Sequence, residues 1–256
     1  MPSDPASLNR ENPLPLSLLA AFPHPDDETF AIGGTLALYA ARGCPTALVT
    51  ATDGDAGHST VAVADRAALG RVRRVELLHA AAILDVSRVF LPGFPDGGVS
   101  DAPPDAVIGA LVHAMRATRP AVVVTFGPEG APTAHRDHKA LSRLVTAAYF
   151  LAGNATLFGG AAGLTPWQPA RLYYLTWGGK KMGGRAPIDG LPLSCRVDVS
   201  SMLDVKRRAF EAHRTQHQHR AQFEAAVTPY EGFFLAAGVP QPTARTADLF
   251  AGLDGA

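Results

Sequence analysis

A chain of 256 residues, 47% of them apolar, can bury a full core and is ordinary for one α/β domain. Its 23 basic and 23 acidic side chains cancel, so the charge balance gives no hint of a nucleic acid or an anionic membrane as partner. No apolar run approaches the roughly 20 residues of a membrane span, so no membrane insertion is expected.

The two cysteines, Cys44 and Cys195, stand in no ligand spacing. They are expected to be reduced, buried and inert, as in a cytoplasmic protein. Residues 1–13 read as a flexible tail. Asp4 and Glu11 face a single Arg10 there, so the apolar run Leu14–Phe22 lacks the basic lead of a signal peptide and instead predicts a buried strand. It delivers His24-Pro25-Asp26-Asp27-Glu28 at the mouth of a strand-to-helix turn, ahead of Gly33-Gly34 and a helical segment over Thr35–Arg42. Three carboxylates and an imidazole so close together repel and perturb one another. A bound cation offsets that cost, because neutral imidazole and carboxylate oxygen are zinc ligands. The competing reading is a capped turn, with Asp26 or Asp27 bonding free N–H groups of the helix.

Thr46–Thr52 is a second apolar β-branched run, ending in the acidic loop Asp53–His58. A helix is predicted from about Asp65 to Leu84, with Leu69, Val72, Val75, Leu77 and Leu78 as its apolar face. Arg88–Phe94 predicts a third strand running into Pro95-Asp96-Gly97-Gly98, Pro104–Thr118 a helix, and Ala121–Phe126 a fourth strand. That strand opens into Gly127–Thr133, His135-Arg136-Asp137-His138 and a helix to about Leu151. Later, Arg171–Trp177 and Arg196–Val199 read as strands, and Met202–His219 and Arg220–Ala237 as helical with Pro229 breaking the second. Residues 14–237 thus form one domain and 238–256 a loosely held C-terminal tail. The β-α alternation predicts a Rossmann-like, mostly parallel sheet with helices on both faces. In such sheets the loops at the carboxyl ends of the strands form the ligand crevice, and these loops carry His24/Asp26/Asp27, Asp53/Asp55, Asp96 and His135/Asp137/His138. The metal site is expected at that edge. His58, His79 and His113 read as structural, and His217 and His219 as solvated.

These residues carry a resemblance. His24-Pro25-Asp26-Asp27-Glu28 with Gly33-Gly34 resembles the HPDDE signature of the LmbE-like N-acetylglucosaminyl deacetylases, a family that includes the GlcNAc-phosphatidylinositol de-N-acetylases and the deacetylases of mycothiol and bacillithiol synthesis. Thr52–Gly57 resembles its second-strand loop, Leu69-Gly70-x-x-Arg73-x-x-Glu76 its helix motif, and Pro95-Asp96-Gly97 its PDG turn. His135-x-Asp137-His138 matches its HxDH element and His213-x-Thr215-Gln216 its late HxSQ-like element. The resemblance implies a zinc-dependent hydrolase that removes the N-acetyl group from a small molecule containing N-acetylglucosamine, for example GlcNAc-malate. His24, Asp27 and His138 would hold the zinc, although the ligand types also suit iron(II). Asp26 would be the general base, His135 the oxyanion donor, and Asp137 the group that orients a neighbouring histidine. Arg73, Asp96 and Asp55 would meet the substrate. Three positions depart from the family pattern: Ala31 for a common Gly, Thr133 where some members carry Tyr, and Asp55 for a commoner Glu.

The chemistry agrees with that assignment. Zinc lowers the pKa of its water to about 7, a base must reach that water, and a donor at the oxyanion is worth about 3–4 kcal/mol. A Rossmann-type nucleotide binder fails, because no G-x-G-x-x-G follows the first strand and the acidic turn would repel a pyrophosphate. The alternatives are a deacylase of another N-acyl substrate or of a chitooligosaccharide, a phosphatase on the same metal, and a silent metal- or sugar-binding module. The last would have lost Asp26 or His135, and both are present. Trp167, Trp177, Lys180, Lys181 and Arg185 are candidates for a lid over an anionic aglycone, or else a solvated basic loop. The expected partner is a small amino sugar, with a homo-oligomer compatible.

Overall fold

The computed structural model describes residues 16–130, 133–159, 163–177, 190–239, 242 and 244–253. The 1–13 tail and the Lys180, Lys181 and Arg185 segment lie outside the described residues. Four apolar runs become strands buried along their whole length: β1 (Leu18–Phe22), β2 (Thr46–Thr50), β4 (Val122–Phe126) and β5 (Arg171–Leu175). Continuous rather than alternating apolarity is what a parallel sheet covered on both faces requires. The shorter β3 (Arg88–Phe90) forms one edge and is partly exposed. Towards the other edge, β6 (Cys195–Asp198) alternates buried and exposed residues. β7 (Tyr230–Gly238) runs antiparallel to both β5 and β6.

The order is β3-β2-β1-β4-β5-β7-β6, with the first five strands mutually parallel. The chain steps away from β1 in one direction to β2 and in the other to β4, so the crevice opens at the carboxyl end of β1. Alternate residues of β1 feed two cores. Leu18, Ala20 and Phe22 pack with residues of α1 (Asp27–Ala41), α2 (Arg66–Ile83) and α5 (Leu203–Ala212). Leu19 and Ala21 pack with residues of α3 (Pro104–Thr118) and α4 (Arg136–Leu151). Among the described residues no helix is long and apolar enough to cross a membrane.

Three expectations are corrected. The predicted helix over Arg220–Ala237 is a short helix, α6 (Arg220–Ala226), followed by strand β7. Pro229 lacks the N–H a helix needs, and beyond it Phe233, Phe234 and Leu235 pair with β5. The tail is not loose where it is described: Leu249 and Phe250 are buried, and the Leu249 and Ala251 carbonyls accept bonds from Arg171. Finally, α2 buries only part of the face its apolar residues suggested. Leu69 and Leu77 are buried and Val72 is half-buried, but Val75 and Leu78 are exposed, and Gly70, Arg73, Glu76, Ala80 and Ala81 complete the buried face.

Helix α1 is broken. Ile32 leaves the helical region (φ −140°), which frees the N–H groups of Gly34 and Thr35 inside the core. Glu231 of β7 accepts both, at 3.0 and 2.8 Å, and also pairs with the buried Lys206 of α5 at 2.6 Å. A buried carboxylate thus caps the second half of α1 from across the fold, and two N–H groups and an ammonium satisfy it.

Candidate metal centre and active site

The turn between β1 and α1 presents the first cluster. His24 Nδ1 lies 3.3 Å from Asp27 Oδ2, and His138 Nε2 lies 3.4 Å from Asp27 Oδ1. Asp27 is therefore placed between two imidazoles, one per oxygen. His138 stands on the first turn of α4 with its ring stacked on Phe126 at 4.3 Å, which fixes its plane. The other nitrogen of His24, Nε2, faces two more carboxylates, Asp96 at 3.2 Å and Asp137 at 3.3 Å.

Asp137 is fully buried and also accepts the N–H groups of Gly97 and Val99, at 2.7 and 3.2 Å. It ties His24 to the Pro95–Val99 loop, so the histidine it orients is His24. Asp96 accepts the Ala56 N–H at 2.7 Å and belongs to the cluster itself. His135 caps α4, with Nδ1 accepting the Asp137 N–H at 3.2 Å. Its ring proton is thereby assigned to Nε2, as a donor. The ring lies edge-on to His24, with centroids 4.9 Å apart.

Asp26 occupies the N-cap position of α1, but its side chain makes no capping bond. Its backbone is left-handed at φ 107°, a conformation costing about 1–3 kcal/mol for a residue with a Cβ. Three groups hold it there. The Asp26 N–H donates to Glu28 Oε2 at 3.0 Å, the Asp26 carbonyl accepts the Thr29 hydroxyl at 2.7 Å, and Arg73 donates to the Pro25 carbonyl at 2.5 Å. Arg73 is buried: it also donates to the Gly54 carbonyl at 2.7 Å and sits 3.6 Å from the Asp26 carboxylate. The structure thus puts Arg73 behind Asp26, with both terminal nitrogens bonded to this chain and Nε without a partner among the described residues. Asp55, partly exposed and paired with Arg66 at 3.2 Å, stands at the rim. Glu28 is fully buried and bonds His213 at 2.6 Å. The sequence assigns Glu28 no separate role, and its immediate succession to Asp26-Asp27 is the signal that points to one.

Protonation follows these neighbours. Burial raises Asp26 to about 7, against the opposing pull of Arg73. Burial also works on Asp27 and Asp137, yet His138 and His24 hold Asp27 below its ordinary value, and His24 does the same for Asp137. Asp96 falls to about 2: burial opposes, but the bond to His24 prevails. His24, despite burial, is raised well above its usual value by Asp137, Asp27 and Asp96. His135 is lowered by burial and by the neighbouring His24.

The donor set fits a divalent ion. Imidazole and carboxylate ligands about 2.0–2.1 Å from a tetrahedral ion lie roughly 3.4 Å from one another, and the His24–Asp27 and Asp27–His138 separations of 3.3 and 3.4 Å agree. Two triplets bring one ligand atom from each residue within 4.8 Å of the others, His24/His135/His138 and His24/Asp96/Asp137, and His24 is common to both. The His24/Asp27/His138 set rests instead on the two pairwise approaches, made to opposite oxygens of Asp27.

The family described as GlcNAc-PI de-N-acetylase (PIG-L) matches residues 19–149. A Rhodococcus opacus protein, 1D-myo-inositol 2-acetamido-2-deoxy-alpha-D-glucopyranoside deacetylase, is 36% identical over 242 residues, covering 78% of this chain and 81% of its own length. Among solved structures, the conserved protein TT1542 from Thermus thermophilus is 30% identical with a TM-score of 0.69, covering 89% of this chain and 97% of its own. The 4-carboxy-2-hydroxymuconate hydratase GalB of Pseudomonas putida superimposes with a TM-score of 0.72 at 19% identity over 89% of this chain and 98% of its own, a likeness of fold alone. The class is that of deacetylases, amide hydrolases acting on C–N bonds other than peptide bonds, and the cluster around His24 is a candidate metal site within it. This chain belongs to the GlcNAc-PI de-N-acetylase (PIG-L) family.

Proposed function

We propose that the chain is a zinc-dependent N-deacetylase of a small N-acetylglucosamine conjugate, with His24, Asp27 and His138 as the ligands. The observation that carries this reading is the Asp27 carboxylate lying between the rings of His24 and His138 with Asp26 beside it. Asp27 is preferred to His135 as third ligand because it is buried between both rings, whereas His135 is exposed and has one nitrogen spent on the Asp137 N–H. When bound, the ion supplies Lewis acidity and a more acidic water.

The chain's own groups supply the rest. Asp26, whose carboxyl sits near 7, takes the proton of the attacking water and returns one to the leaving amine; a base poised near the working pH suits both transfers. His135 offers Nε2–H to the oxyanion as the acetamide carbon becomes tetrahedral. Asp137 holds the ring of His24 in one tautomer by accepting from Nε2. Asp96, bonded to the Ala56 N–H at 2.7 Å, and Asp55 at the rim face the substrate side, while Arg73 keeps the Asp26 turn in place. The substrate class is an N-acetylglucosamine conjugate whose aglycone is inositol, the one named for the relatives, rather than malate. Iron(II) fits the same ligands.

The test is amine release from inositol-, malate- and chitobiose-linked N-acetylglucosamine by zinc-replete protein. Turnover of the inositol conjugate is expected, and inactivity on all three would sink the proposal. Asp26→Ala should retain its metal and lose turnover by about 100- to 10,000-fold, the usual share of a general base.

A further inference from the structure

The late element His213-Arg214-Thr215-Gln216 holds none of the proposed ligands, yet it is tied to the acidic turn that does. His213 is 0% exposed and lies at the carboxyl end of α5. Its Nε2 bonds Glu28 Oε1 at 2.6 Å, and its Nδ1 has no partner. The whole polar investment of the ring is therefore in Glu28. The second oxygen of Glu28 accepts the N–H of Asp26, the residue held at φ 107°. The turn that carries His213 is itself clamped: Glu76 accepts the Thr215 N–H and hydroxyl at 2.9 and 2.6 Å, and the Thr60 N–H donates to the Thr215 carbonyl. Glu76 lies one helical turn from Arg73 on the buried face of α2, and Arg73 grips the same Asp26 turn from the Pro25 side. One helix thus braces the left-handed residue twice, directly through Arg73 and indirectly through Glu76, the 213–216 turn and Glu28.

We propose that His213 is a positioning residue: through Glu28 it holds the Asp26 backbone in its left-handed conformation, which aims the Asp26 carboxylate at the water to be deprotonated. The inference rests on the reading of Asp26 as the general base. A merely space-filling histidine would have no reason to spend its one bond on the carboxylate that accepts the Asp26 N–H. An unbraced Asp26 would relax toward negative φ, turning its side chain away from the cluster without removing any proposed ligand.

The experiment compares His213→Ala, His213→Asn and His213→Gln in zinc-replete full-length protein. Two readouts are taken: steady-state amine release from inositol-linked N-acetylglucosamine and site-resolved amide hydrogen exchange. Gln can extend an N–H donor to Glu28, while Asn is too short. For His213→Ala and His213→Asn, kcat should fall about 10- to 100-fold with KM and zinc content unchanged, and exchange of the Asp26 amide should accelerate by at least about tenfold. The Thr35 amide, held by Glu231 on the same helix, should keep its protection, and His213→Gln should restore both values toward the parent. If His213→Ala fails to fold, the Asn and Gln pair carries the comparison. Unchanged Asp26 exchange in folded His213→Asn overturns the proposal, as does a loss of zinc or a rise in KM in place of the fall in kcat. Should the parent release no amine from any conjugate, the reading of the activity fails, while the exchange data still judge the His213–Glu28–Asp26 link.

Discussion

Asp137→Asn separates charge and hydrogen bonding from shape at the carboxylate that orients His24. Asp137 serves three donors with two oxygens: Oδ2 takes the Gly97 N–H at 2.7 Å and His24 Nε2 at 3.3 Å, and Oδ1 takes the Val99 N–H at 3.2 Å. An asparagine has one oxygen and one NH2. With its oxygen toward Gly97 and His24, the NH2 confronts the Val99 N–H; flipped, it confronts both others. Either way a buried donor is orphaned, at about 1–3 kcal/mol. At about 2 °C per kcal/mol for a chain of this length, the melting temperature of the metal-free protein should fall by about 2–6 °C. The remaining bond to His24 comes from a neutral amide, so ring orientation and ligand basicity suffer as well. Loss of such a support typically weakens metal binding 10- to 100-fold, about 1.4–2.7 kcal/mol. Competition for zinc against a chromophoric chelator measures this. Zinc affinity within twofold of the parent, with an unchanged melting temperature, would refute the claim that Asp137 holds His24 for the ion.

Two further outcomes are expected. His138→Ala should lose bound zinc by elemental analysis while folding with its β4–α4 packing intact, because the stacked Phe126 is only 2% exposed and largely surrounded by other core residues; full zinc stoichiometry would remove His138 from the ligand set. Glu231→Ala should orphan the Gly34 and Thr35 N–H groups and leave Lys206 charged and buried, costing about 3–5 kcal/mol and about 6–10 °C in melting temperature. Adding Lys206→Met should recover part of that loss, and no recovery would show that the ammonium is not the costly partner.

The parallel half of the fold was legible because its strands are continuous apolar runs bounded by turns, and the predicted helix over Pro104–Thr118 has the bounds of α3. The antiparallel β7 was not, because Phe233, Phe234 and Leu235 pair with a strand some sixty positions earlier, and only that pairing distinguishes the run from a helix. At the site, sequence order placed His24, Asp27 and His138 at one edge, and the structure brings them together. It could not separate Arg73 as a substrate contact from Arg73 as a brace. That distinction depends on which face of α2 is buried, and the apolar residues point to it only in part, because Val75 and Leu78 lie off it. In α2 the charged Arg73 and Glu76 are buried while the apolar Val75 and Leu78 are exposed.

The broken first helix sets a limit on any attempt to shrink this protein. The segment matched by the family, residues 19–149, holds each proposed ligand, the base and the oxyanion donor, but it ends before Lys206, His213 and Glu231. Cut there, it would expose Gly34 and Thr35 without their acceptor and leave Glu28 with no imidazole. The proposed catalytic parts end at His138, whereas Lys206, His213 and Glu231, which hold the broken helix and the Asp26 turn, come later in the chain. A minimal enzyme would have to carry the final strand along.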